Sequence, residues 1–176
     1  MIFRTTQIAG VRLVDLEPVA DNRGFFARAW CREEFARQGI CLEIVQANLI
    51  HSLERGTLRG LHYQAPPHEE DKLVRCIRGA AFVVVADLRR ESRSCGQWCG
   101  VELSAENRSM LYVPKGCAQG YQTLAGDTEM YYLMSAAYHP ESARGLRYDD
   151  PAFGMRWPLP VGVISERDRS WPDYAQ

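Results

Sequence analysis

From Lys72 to Tyr138 the chain is a succession of short extended segments, cut at about ten-residue intervals by glycine, proline or acidic turns. "KLVRCIRG" sets Leu73, Arg75 and Ile77 against Val74, Cys76 and Arg78, the two-residue period of a strand. "AAFVVVADL" follows as a dense β-branched run, and "QWCGVELS", "SMLYVPKG", "GYQTLAG" and "EMYYLMSAAY" continue the series. Strands this short and this regular predict an all-β sandwich or barrel, with a hairpin turning through Arg78 and Gly79. Helix is a minor component. Only "CREEFARQG" carries a helical face, with Phe35 among charged neighbours and Gly39 as its stop.

A chain of 176 residues is long enough to bury about two-thirds of its unfolded surface without staples. One domain is expected: amino-terminal strands and a short helix over 1–50, a barrel core over 51–139, and a carboxy-terminal tail over 140–176. From Tyr148 that tail turns proline-rich and aromatic ("YDDPAFGMRWPLP"), which predicts that it wraps the domain, pinned by Trp157 and Trp171. The formal net charge of −1 gives no basic field for nucleic acid and no polybasic patch for a membrane surface. No stretch approaches the ~20 apolar residues of a membrane span, and "MIFRTTQIAGVRLVDLEP" lacks the apolar run of a signal peptide. The expected setting is soluble and cytoplasmic. The six cysteines are scattered without a C-x-x-C pair, so reduced thiols are expected, with Cys76 and Cys117 acting as small core hydrophobes.

One histidine stands out. In "GTLRGLHYQ", His62 follows Arg59 and precedes Tyr63, and Lys72 lies ten residues on. A dry core cannot hold so many ionisable heads without partners, so a ligand cleft explains them more simply than a buried structural ring. An unperturbed imidazole titrates near 6.5, so His62 can act as a base near neutral pH if a carboxylate orients it. A metal site is the third reading, for which His68, Glu69 and Glu70 lie nearby.

Several blocks, in order along nearly the whole chain, are similar to one family: "DNRGFFARAW", "GTLRGLHYQAPP", "KLVRCIRGAAFVVVADLRRES", "LSAEN", "VPKGCAQGY", "YHPESARGLRYDDPAFGMRWP" and "ISERD". The chain resembles dTDP-4-dehydrorhamnose 3,5-epimerase and its relatives among the sugar-nucleotide epimerases. The resemblance implies a jelly-roll cupin barrel with a few short helices, a homodimer sharing amino-terminal strands, and a nucleoside-diphosphate sugar as ligand. It implies no cofactor and no metal. In metal-binding cupins the first motif runs H-x-H and the second ends P-x-G-x-x-H, whereas Gln64 and Gln119 stand where those histidines are needed.

The resemblance also implies roles. His62 is the base, paired with Asp168; Tyr132 is the acid on the opposite face; Lys72 contacts the substrate; and Tyr138 stacks on the nucleobase. Gln46 and Asn48 match a polar nucleotide contact. Arg23 and Arg59 are candidate diphosphate clamps, because a guanidinium presents parallel donors to phosphate oxygens. The chemistry makes these choices sensible. A C–H beside a ketone is acidified because its electrons spread onto the carbonyl oxygen, and an ammonium at that oxygen stabilises the enolate. Inversion needs a separate acid across the ring, and a phenol stays protonated until the enolate carbon takes its proton. Strand alternation sends Tyr131 the other way from Tyr132.

The chain departs from the family's usual residues at four positions: Arg28 for a glutamate, Val83 for an acid, Gln119 for a histidine and Leu133 for a lysine. Joint replacement of a histidine and its acid leaves neither buried without a partner, which implies a remodelled pocket. The expected activity is epimerisation of a 4-keto-6-deoxyhexose nucleotide at C3, C5 or both. The alternatives are a ketoisomerase using the same enolate and a nucleotide-sugar-binding homologue with reduced turnover.

Overall fold

The computed structural model describes residues 1–174. In chain order the first strands are β1 (Ile2–Thr5), β2 (Arg12–Asp15), β3 (Val19–Asp21) and β4 (Gly24–Phe26), followed by helix α1 (Arg32–Arg37). Then come β5 (Gln46–Ser52), β6 (Leu58–Gln64), β7 (Lys72–Arg78), β8 (Ala80–Asp87), β9 (Trp98–Ser104), β10 (Met110–Val113), β11 (Cys117–Thr123) and β12 (Thr128–Met134). A short β13 (Ala143–Gly145) and helix α2 (Glu166–Arg169) complete the set.

The strands form an all-β jelly roll. One sheet has the order β1-β2-β10-β7-β12-β5 and the other β13-β6-β11-β8-β9, with β3 and β4 as a separate hairpin. From β5 to β8 the chain changes sheet at every step, which is how a jelly roll wraps two sheets around one interior.

The expected hairpin through Arg78 and Gly79 does not form a ladder. β7 lies between β10 and β12 in the first sheet, and β8 lies between β11 and β9 in the second. The reason is visible in β8 itself, which is apolar on both faces. Val83 and Val85 point into the core between the sheets, while Val84 and Ala86 point outward into a second apolar cluster. Such a strand has to be central and covered on both sides. Gly79 makes the corner between the sheets: its φ is +72°, and a Cβ there would sit 2.6 Å from Thr128 Oγ1.

Two outer layers close the sheets. Phe35 of α1, with Ile40 and Leu42, packs on Val14, Leu73, Met110 and Tyr112 from the first sheet. The carboxy-terminal segment covers the second: Leu146, Phe153 and Met155 are buried against Leu61, Val84 and Ala118, with Trp157 beside them. The Trp157 indole N–H donates to the Tyr148 carbonyl at 2.9 Å. Trp171 lies against Gly145 of β13, where a Cβ would run into its ring. Cys76 and Cys117 are buried and all six cysteines are free thiols. Among the described residues no helix is long and apolar enough to cross a membrane.

Candidate active site

A cavity of about 580 Å³ opens between the two sheets. Its walls come from inward-facing positions of β5, β6, β7, β11 and β12, and α2 closes one side. Strand β6 is irregular there. His62 pairs with Gln119 but Arg59 pairs with Tyr121, so two residues of β6, Gly60 and Leu61, stand opposite the single Gly120. This bulge resets the two-residue alternation, so Arg59 and His62, three apart, both line the cavity. Only glycine fits at its first position: Gly60 has φ +107°, and a Cβ would lie 2.6 Å from Gly120 Cα. Leu61, within the bulge, is buried in the outer cluster.

The bulge also receives the carboxylate. Ser165 caps α2 by accepting the Asp168 N–H at 3.1 Å, which points the Asp168 side chain back at β6. Asp168 Oδ2 accepts the Gly60 N–H at 3.1 Å, and Oδ1 lies 2.6 Å from His62 Nε2. Burial pushes the Asp168 carboxyl up, but the hydrogen bond and charge of His62, with the Gly60 and Ser165 contacts, prevail and hold it below the ordinary carboxylate range. A carboxylate at Nε2 fixes the tautomer with the proton on Nε2. The lone pair of Nδ1 is then free for chemistry.

Tyr132 comes from β12 and Lys72 from β7, both in the sheet opposite His62. Burial raises the Tyr132 phenol above its ordinary range, and the nearby Glu70 carboxylate adds to that. Lys72 Nζ forms an ion pair with Glu70 Oε1 at 2.9 Å and donates to the His62 carbonyl at 3.0 Å. Glu70 Oε2 also accepts the Gln64 N–H at 3.1 Å. The side chains of Lys72 and Glu70 are only 8% and 3% exposed, so the ammonium is held at a dry wall of the cavity. Tyr131 does not line the cavity, and strand alternation sends it outward.

At the rim, Gln46 Nε2 donates to Asn48 Oδ1 at 3.0 Å, and Gln46 Oε1 accepts the Tyr138 N–H at 2.9 Å. Tyr138 is half exposed beside them. Arg59 lines the cavity with its Nε on Ser52 Oγ at 3.2 Å. Arg23 does not reach this cavity. It sits on the exposed turn of the β3–β4 hairpin, paired with Asp21 at 2.5 Å. Three charged cavity residues have no substrate or catalytic role in the sequence reading. Arg144 of β13 and Arg167 of α2 line the same opening, but a lone arginine on so short an element carries no signal of its own. Glu70 was considered only as a metal ligand.

The four departures from the family pattern do not gather at the cavity. Gln119 lines it, whereas Val83 is fully buried in the core two pairs along the ladder, opposite Tyr121. Leu133 packs outside the first sheet. Arg28 is an exposed residue paired with Glu34 at 2.7 Å. Gln64 is committed elsewhere: its amide donates to the His68 and Ala137 carbonyls and accepts from the His139 N–H.

Comparison with known proteins finds the same fold and one family. The family model described as dTDP-4-dehydrorhamnose 3,5-epimerase matches residues 5–176. A dTDP-4-dehydrorhamnose 3,5-epimerase of Sinorhizobium fredii is 42% identical over 178 residues, covering 100% of this chain and 91% of the relative. The crystal structure of the dTDP-4-dehydrorhamnose 3,5-epimerase from Elizabethkingia anophelis superposes with a TM-score of 0.96 at 32% identity, covering 99% of this chain and 96% of that one. A dTDP-6-deoxy-D-glucose-3,5-epimerase from Legionella pneumophila, solved with dTDP-4-keto-L-rhamnose, gives a TM-score of 0.89 at 34% identity over 99% of both chains. With a match that spans the jelly roll, the bulged strand and the helix that brings Asp168 to His62, the chain belongs to the dTDP-4-dehydrorhamnose 3,5-epimerase family.

Proposed function

We propose that the cavity binds a nucleoside diphosphate carrying a 4-keto-6-deoxyhexose and inverts the carbons beside the ketone, C3 and C5, through an enolate. The supporting observation is the 2.6 Å contact between His62 Nε2 and Asp168 Oδ1 on one wall, with Tyr132 on the facing sheet. His62 Nδ1 takes the proton from the sugar carbon, and the C–H electrons move onto the carbonyl oxygen. Lys72 stabilises the oxyanion, its ammonium held in position by Glu70 at 2.9 Å. Tyr132 delivers a proton to the opposite face of the same carbon, and solvent returns the two residues to their starting states. No step in this sequence uses a cofactor.

The rest of the substrate lies along the opening. Arg59, Arg144 and Arg167 answer the diphosphate, Tyr138 stacks on the base, and Gln46, Asn48 and Gln119 supply polar contacts. A homodimer fits the surface. Val19, Phe26, Leu49 and Leu53 are between 61% and 72% exposed, on the β3–β4 hairpin and along the β5 edge of the first sheet. Sharing that hairpin would carry Arg23 toward the cavity of a second copy. The free thiols suit the reducing cytoplasm.

The test is direct. Incubated with dTDP-4-keto-6-deoxyglucose in D₂O, the protein is expected to yield a product inverted at C3 and C5, with solvent deuterium at both, by NMR. A migrated carbonyl identifies a ketoisomerase, and binding without exchange identifies a binding protein. Light scattering on the same sample reads the dimer.

A further inference from the structure

Outside the cavity, the loops 65–71 and 135–142 bring together three metal-ligating side chains: His68, His139 and Glu141. The two imidazoles are stacked, with centroids 3.5 Å apart and planes within 9° of parallel. Glu141 Oε1 stands 3.1 Å from His139 Nδ1 and 3.9 Å from His68 Nδ1. One ligating atom from each residue falls within 4.8 Å of the others. Ser142 Oγ adds a polar contact 3.0 Å from His68 Nδ1.

The backbone beneath this cluster is fixed by one buried amide. Gln64, 3% exposed, donates through Nε2 to the His68 carbonyl at 2.8 Å and the Ala137 carbonyl at 3.1 Å, and accepts the His139 N–H at 2.6 Å. The Ala65 N–H to Ser142 carbonyl bond, 2.8 Å, ties the loops together again. The backbone that carries the donors is therefore held in place before any ligand arrives, while the rings keep their freedom to turn.

We propose that His68, His139 and Glu141 form a site for a borderline divalent cation, with zinc as the type. Two imidazoles and one carboxylate are a three-ligand set for zinc, a water completing the tetrahedron. Two nitrogen donors favour zinc, nickel or copper over magnesium or calcium. The stack itself has to open. An ion about 2.0–2.1 Å from each nitrogen lies in the plane of both rings, so the imidazoles turn out of their parallel arrangement. Their side chains, 33% and 37% exposed, have room to do so. Gln64 and Tyr138, next to these ligands, also line the cavity. An ion here acts as a structural clasp on the cavity rim, whatever reaction the cavity performs.

Zinc chloride titrated into the intact protein, followed calorimetrically and by the imidazole signals of its four histidines, tests this. One saturable site is expected, with His68 and His139 shifted and His51 and His62 unmoved. His68→Asn and His139→Asn should each weaken binding by at least about tenfold, with circular dichroism unchanged, and Glu141→Gln should also weaken it. Absence of saturable binding, equal affinity in the histidine variants, or shifts confined to His51 or His62 would overturn the proposal. Binding that moves only with the exposed Cys41 or Cys95 would overturn it too.

Discussion

His62 and Asp168 are separated by 106 residues in the chain and by 2.6 Å between Nε2 and Oδ1 in the fold. The contact depends on two local devices, the bulge that turns His62 inward and the serine cap that aims Asp168 at it. Asp168→Asn keeps the shape but presents an amide where a carboxylate held the tautomer. Turnover should fall by about 10²–10⁴-fold in kcat, the range for losing a positioned base. Its folded pKa lies below the unfolded 3.8, so its contribution to stability is present above that pH and is lost as pH falls through the folded value. The deficit of the variant, about 1 kcal/mol because His62 is half exposed, should hold from neutrality to about pH 4 and shrink below. Urea unfolding across that range reads it.

Tyr132→Phe separates the two proton transfers. Exchange at the sugar carbon should survive, because His62 still removes the proton, while inversion drops by about 10²–10⁴-fold. Tyr131→Phe should leave both intact, since its ring lies outside the cavity. NMR of configuration and deuterium content in one sample distinguishes them. Inversion lost from the Tyr131 variant instead would reverse the assignment.

Glu70→Gln removes the charge that holds Lys72. Leaving the buried ammonium without its carboxylate costs about 1–3 kcal/mol of stability and should lower kcat more than it raises KM. Loss of a negative charge also eases ionisation of Tyr132, whose pKa Glu70 helps to raise. The alkaline limb of the rate profile should therefore move to lower pH. A merely structural glutamate would leave that limb where it is.

Gly60→Ala puts a Cβ 2.6 Å from Gly120 Cα at φ +107°. The strain, about 1–3 kcal/mol, should appear in unfolding midpoints. Activity should fall further than stability does, because the same residue donates to Asp168 and sets the direction of His62.

The strands were legible because each is a local pattern. Period-two alternation and turn residues mark β7 through β12 without reference to anything distant. Which sheet each strand joins is a matter of long-range pairing, and Gly79 looks the same whether it closes a hairpin or turns a corner. At the site, the crowding of Arg59, His62 and Lys72 was visible locally, while the Asp168 partnership came only from resemblance to the family. Glu70 shows the remaining gap. Two residues before Lys72 it reads only as a possible metal ligand, and the fold instead turns it inward to 3% side-chain exposure beside the lysine. The bulge did leave a signal: a glycine within a strand, followed after one residue by the histidine that alternation would misplace.

The rate of deuterium uptake from D₂O at C3 and C5 of dTDP-4-keto-6-deoxyglucose, measured for the unaltered protein and for His62→Asn under single-turnover conditions, tests the central role most directly. Removal of the base should slow uptake at both carbons by about 10²–10⁴-fold while the nucleotide still binds. Uptake undiminished in the variant would show that another group takes the proton.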